Sequence, residues 1–169
     1  MCIVNKTPSW VTQASYSPSD IRVPKKELEE RYYHFALLPQ NLFFKEPDRM
    51  GCLTIPAKTI LSLENKLQRE IAKVKLLNDC AERNNKGIAY EKEGNIDAAV
   101  ELYEENIKPG CYPAMHSFDR LLVIYRRNGD CKSELRVCKR AVTVFKKIGK
   151  YRERIEKITA KIQKERSKK

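Results

Sequence analysis

Gly87-Ile88-Ala89-Tyr90-Glu91-Lys92-Glu93-Gly94-Asn95-Ile96-Asp97-Ala98-Ala99-Val100-Glu101-Leu102-Tyr103 is the stretch that decides how this chain folds. It holds two helical patterns separated by a Gly-Asn break. Glycine ends a helix in the left-handed conformation without a Cβ penalty, and asparagine after it is a polar turn residue ahead of the second helical pattern. The same frame returns 35 residues further on, where Tyr125, Gly129 and Asp130 stand as Tyr90, Gly94 and Asn95 do. Within the pattern each residue has a physical task. Gly87 lets two helices approach closely, and Tyr90 is expected to fill space one turn later. Gly94 supplies a positive φ. Ala99 is the small residue at the crossing, with the large Tyr103 packed beneath it.

These residues resemble the tetratricopeptide repeat, with its period of about 34 residues and its frame W-x2-L-G-x2-Y, A-x3-F, P. The first unit matches at Gly87, Tyr90, Gly94, Ala99 and Tyr103. The second matches at Phe118, Leu121, Tyr125, Gly129 and Ala141. Departures exist in both. Arg83 and Lys86 replace Trp and Leu, and Cys111 takes the place of the closing Pro. In the second unit Leu122, Glu134 and Cys138 replace Gly, the small Ala and the aromatic. A plain helical hairpin within a bundle is the alternative reading of the same turns. The resemblance implies an all-α fold. It would be a short right-handed superhelix of helix-turn-helix hairpins over residues 80–149, with a long flanking helix, a C-terminal capping helix and an irregular N-terminal arm.

Outward from the repeats, Ile60, Leu63, Leu67, Ile71, Val74 and Leu77 recur at three- and four-residue intervals. That spacing predicts one amphipathic helix over 57–79, and neither Gly nor Pro stops it before Gly87. Tyr151, Ile155, Ile158 and Ile162 form a narrow stripe among Lys, Arg and Glu, which predicts a basic capping helix and tail over 150–169. Residues 1–56 hold most of the prolines and read as an irregular arm with one short helix. That helix starts at Pro24, is closed by Pro39, and has Leu28, Tyr32, Phe35 and Leu38 as its stripe. Trp10 and Tyr16 are the aromatics that would anchor the arm.

The net charge of +12 is unevenly spread. Residues 1–56, 57–113 and 114–169 carry +1, −1 and +12. A basic end fits an acidic protein surface, nucleic acid or an anionic membrane, and it equally fits a solvated face. No stretch approaches the roughly 18–20 apolar residues of a membrane span. No apolar signal core opens the chain, so the expected location is cytoplasmic. The six cysteines form no Cys-x-x-Cys pair and read as half-buried thiols.

Catalytic and metal-binding constellations are not recognisable, and no cofactor is expected. Cys111 and His116 lie close in sequence, yet a metal would need two further ligands. The resemblance instead implies a groove for a partner's peptide or helix, lined by the first helix of each pair. Asn84, Asn85, Ile88, Glu91 and Lys92 project onto one wall. His116, Asp119, Arg120, Val123, Arg126 and Arg127 project onto the other. Arg126 and Arg127 suit bidentate carboxylate or phosphate recognition, or simply answer a helix dipole. The sequence therefore points to a non-enzymatic protein-interaction adaptor. Self-association through an end helix is a second use of the same surfaces. Accessory nucleic-acid binding through the basic third is the competing function.

Overall fold

The computed structural model describes residues 7–16 and 19–167. The fold is mostly helical, with one two-stranded sheet, and it divides into two compact units, Met1–Val74 and Lys75–Lys169.

In the first unit α1 spans Ser9–Tyr16, β1 Asp20–Pro24, α2 Lys25–Tyr33, α3 Gln40–Phe43 and β2 Cys52–Pro56. The long helix α4, Ala57–Lys92, begins here. β1 and β2 pair antiparallel with Ile21 opposite Ile55 and Val23 opposite Leu53. These four side chains point to one face, as the two-residue period of a strand demands, and are buried. They form a core with Trp10, Leu28, Tyr32, Ile60, Leu63 and Leu67.

This corrects the expectation of an irregular arm over 1–56. Its described residues, 7–16 and 19–56, are folded, and their core includes the first turns of α4, so the compact unit runs past residue 57. Pairing over thirty residues cannot be seen in five-residue strands that each carry only two inward apolar positions. Trp10 does anchor, buried with its Nε1 donating to Glu27 at 2.9 Å, whereas Tyr16 is exposed. Leu28 and Tyr32 are fully buried and Phe35 and Leu38 pack at the core's margin. Helix α2 is shorter than expected because the chain turns back after Tyr33.

The second unit contains the end of α4, then α5 (Ile96–Asn106), α6 (Met115–Arg127), α7 (Cys131–Val144) and α8 (Lys150–Arg166). The helix expected over 57–79 runs on to Lys92, since nothing in between breaks it. Its apolar stripe is not uniformly used: Ile60, Leu63 and Leu67 are buried, while Leu77 is exposed.

Two turns in this unit are built alike. After α4, Gly94 has φ 81°, and after α6, Gly129 has φ 70°. The N–H of Asn95 donates to the carbonyl of Tyr90 at 2.8 Å, and that of Asp130 to the carbonyl of Tyr125 at 2.9 Å. Gly94 and Gly129 donate to Glu91 and Arg126, both at 3.2 Å. This is the six-to-one, five-to-two pattern that closes a helix C-terminus. Asn95 and Asp130 then cap the next helix, each side chain accepting from the backbone N–H three residues on, at Ala98 and Ser133. The sequence period is thus a period in hydrogen bonds.

The residues that carry the resemblance differ in burial. Ala99, Tyr103, Phe118, Leu121 and Ala141 are buried, and Tyr125 is half-buried. Tyr90 is exposed and fills no interior space. Its contribution to the turn comes through its carbonyl. Glycine at 87 has a direct steric cause: a Cβ there would lie 2.6 Å from Cε1 of Tyr103.

Candidate functional site

Both candidate walls lie in the second unit. On α4, Asn84, Ile88, Glu91 and Lys92 recur at three- and four-residue steps and so share a face. On α6, His116, Arg120, Val123 and Arg127 do the same. Helix α5 lies against both. Tyr103 of α5 donates its hydroxyl to Glu91 Oε1 at 2.7 Å, and its ring meets the ring of His116 edge-on with centroids 5.7 Å apart. Arg120 Nε donates to the same Glu91 oxygen at 2.9 Å, and its Nη2 pairs with Oε2. Ile88, Glu91, Lys92, His116 and Arg120 together line an open hollow of about 350 Å³.

Glu91 is thus the hub of a clamp on three helices. The Arg120 hydrogen bonds, with help from the Tyr103 hydroxyl, hold its pKa below the usual carboxylate value against the opposing effect of burial. Burial pushes the Tyr103 hydroxyl upward, and its bond to Glu91 adds to that shift. The same arrangement recurs one helix along. Glu104 of α5 accepts from Tyr125 of α6 at 2.7 Å and from Arg136 of α7 at 2.5 and 3.0 Å. Asp119 of α6 accepts from Tyr151 at 3.0 Å and Lys150 at 2.7 Å, both on α8.

These clamps remove some expected wall residues from a free surface. Asp119 is engaged by α8. Arg126 pairs with Glu134 of α7, a buried carboxylate that Arg154 of α8 also holds at 2.6 Å. Glu134 replaces the small residue of the repeat frame, and these two guanidinium groups are what let it be buried. Bidentate capture of an outside anion by Arg126 and Arg127 as a pair therefore loses one member to an internal acid. Arg127 and Asn85 are exposed, and Val123 is half-buried.

Asn84 faces inward. Its Oδ1 accepts from Ser117 Oγ at 2.6 Å and from Asn106 Nδ2 at 3.0 Å. Asn106 also donates to the Cys80 carbonyl at 3.2 Å and accepts from Arg83 Nε at 2.6 Å. Asn106 and Ser117 are buried, and no buried side-chain polar atom among the described residues lacks a partner. The sequence reading missed this network. Its signal is the departure at Arg83: a polar residue at an aromatic's place needs a polar partner across the hairpin, and Asn106 is it.

Among the described residues, no three His, Cys, Asp or Glu are placed to hold a metal ion, and no helix is long and apolar enough to cross a membrane. Cys80 and Cys138 are buried, and burial pushes the Cys138 thiol up to about 11. No family model, curated protein or solved structure matches the chain.

Proposed function

We propose that this chain is a non-enzymatic protein-interaction module whose second unit is a short tetratricopeptide-like superhelix. A peptide or helix of another protein lies along the trough between the end of α4 and α6. The observation that carries this reading is the open hollow to which both helices contribute, with Ile88 as its apolar element and Lys92 and His116 as polar ones. The paired turns at Gly94 and Gly129 support the family resemblance, because they repeat in backbone hydrogen bonds as well as in sequence. The non-enzymatic character is supported by Glu91, the acid of the hollow, which already accepts from Tyr103 and Arg120. A carboxylate so engaged is a poor general base.

The test is capture followed by identification. The purified chain and an Ile88→Asp/Lys92→Glu variant are immobilised, and bound proteins are identified by mass spectrometry. A protein retained by the first and lost by the variant is then titrated, with an affinity loss of about tenfold or more expected. Far-UV circular dichroism and thermal melting establish that the variant is folded. Equal retention by both rejects the trough. Retention of nuclease-sensitive material, weakening steeply on a log–log salt plot, transfers the function to nucleic-acid binding.

A further inference from the structure

The first unit carries a surface that the trough does not use. After α2 the chain reverses through Ala36, whose φ of 48° lies in the left-handed region that alanine adopts only at a cost. Two hydrogen bonds hold the reversal, from Ala36 N–H to Tyr33 O at 3.0 Å and from Leu37 N–H to Tyr32 O at 3.3 Å. The reversal brings Leu38 and Phe43 beside Tyr33. With Glu29, Tyr32 and Ala36 they enclose a hollow of about 180 Å³. A second hollow is lined by Glu29, Glu30, Tyr33 and His34. Tyr33 and Glu29 thus border both.

Two properties make this surface unlike an ordinary solvated face. The first is its exposed aromatic character: Tyr33 is 75% and Phe43 45% exposed at the hollow, and the exposed Phe44 lies edge-on to Phe43. Large apolar side chains gathered at a hollow mark a contact surface, whereas scattered ones do not. The second is its charge. In a chain of net charge +12, two carboxylates, Glu29 and Glu30, line the second hollow beside the Tyr33 ring. Among the described residues Glu29 pairs with Lys25 at 3.7 Å, beyond hydrogen-bond reach, so its charge is only partly answered.

We propose that this surface docks a short basic segment of another protein. An aliphatic side chain of that segment enters the hollow formed by Tyr32, Leu38 and Phe43. A Lys or Arg close to it in sequence lies over the Tyr33 ring, where a cation is attracted to the π face, and pairs with Glu29 and Glu30. Phosphate backbones and anionic lipid are disfavoured by the same two carboxylates. A second copy of this chain offers cations on α8, but the apolar side chains beside them, Tyr151, Ile155, Ile158 and Ile162, are already packed in its own core. That helix therefore lacks a free aliphatic anchor next to its positive charge, and docking of a second copy through the exposed Leu76 and Leu77 beside Lys75 is an outcome of the test.

The full-length chain is titrated into short fluorescein-labelled peptides, each with Leu or Ile beside a Lys-Arg pair, and into counterparts with Glu-Glu replacing Lys-Arg. Fluorescence anisotropy should give micromolar dissociation constants for basic members of the set and values about tenfold or more weaker for their acidic counterparts. Tyr33→Ser and the pair Glu29→Gln/Glu30→Gln should each weaken the basic peptides about fivefold or more with thermal melting unchanged. Ile88→Asp/Lys92→Glu should leave this binding intact, which separates it from the trough. The proposal is overturned if basic and acidic peptides bind alike, or if no basic peptide binds below the millimolar range. It is also overturned if the two first-unit variants bind as the parent chain does. Concentration-dependent dimerisation abolished by Tyr33→Ser would assign the surface to a second copy instead.

Discussion

The ring of Tyr103 occupies the space that a side chain at position 87 would need, with Cε1 only 2.6 Å from where a Cβ on Gly87 would stand. The absent side chain lets α5 settle against α4. The Tyr103 hydroxyl then reaches Glu91 one turn further along, and Arg120 arrives from α6 to complete the clamp. A steric vacancy and a three-helix polar junction are therefore two ends of one contact.

Replacing Gly87 by Ala is expected to reverse sign with its neighbour. Alanine improves helix propensity by about 1 kcal/mol, yet the overlap with Tyr103 should leave a net loss of about 1–2 kcal/mol. In a Tyr103→Leu background the same Gly87→Ala change should become stabilising by about 1 kcal/mol. Urea denaturation of the four proteins measures both values. A Gly87→Ala penalty that persists unchanged without the ring would show that Tyr103 is not its cause.

Backbone conformation gives a second pair of opposite signs. Gly94 and Gly129 have positive φ and open space around them, so Ala at either should cost about 1 kcal/mol through strain alone. Ala36 holds a positive φ with a side chain present. Ala36→Gly should therefore stabilise the first unit by a few tenths to about 1 kcal/mol. Thermal melting of single variants reads each, and destabilisation by Ala36→Gly would contradict the left-handed turn.

Acid should weaken the second unit through Glu91. Its pKa is depressed in the folded chain, so the stabilisation it supplies is complete above its ordinary value of 4.5 and is lost as pH falls through the folded value. Glu64 behaves alike in the first unit: burial raises it, but hydrogen bonds from Arg31 and Gln68 win and its pKa is lowered. Melting temperature should be flat near neutrality and fall below about pH 4.5. Glu91→Gln should be less stable than the parent at pH 7, and that gap should narrow at pH 3. A gap independent of pH would exclude an ionic role.

Thiol labelling should divide the cysteines by burial. Cys52, Cys111 and Cys131 are half-buried, whereas Cys80 and Cys138 are enclosed and burial raises both thiols. A neutral disulfide reagent should modify the former group in minutes and the latter pair only on unfolding. Mass mapping of labelled peptides checks this. Rapid modification of Cys138 in the folded chain would show that the contacts of α7 with its neighbours open in solution.

Much of the helical part was legible because its signals are local. The stripe from Ile60 onward, the helix-ending glycines at 94 and 129, and the polar turn residues Asn95 and Asp130 all act within one or two turns of themselves. The strands were not, because Ile21 and Val23 have meaning only opposite Ile55 and Leu53. The repeat frame implies an interior role for Tyr90, but a frame position does not fix which way a ring points.

The candidate site divides along the same line. Sequence by itself names the candidate walls only through the family resemblance, and a 3.6-residue period lets Ile88, Glu91 and Lys92 share one face and His116 and Arg120 another. Only the tertiary structure decided which of those groups remain open to a partner. Asn84 went to Asn106 and Ser117, Asp119 to Lys150 and Tyr151, and Arg126 to Glu134. The physical reason is that a buried or half-buried polar group must find a partner, and packing, not sequence spacing, settles which group is near enough to serve.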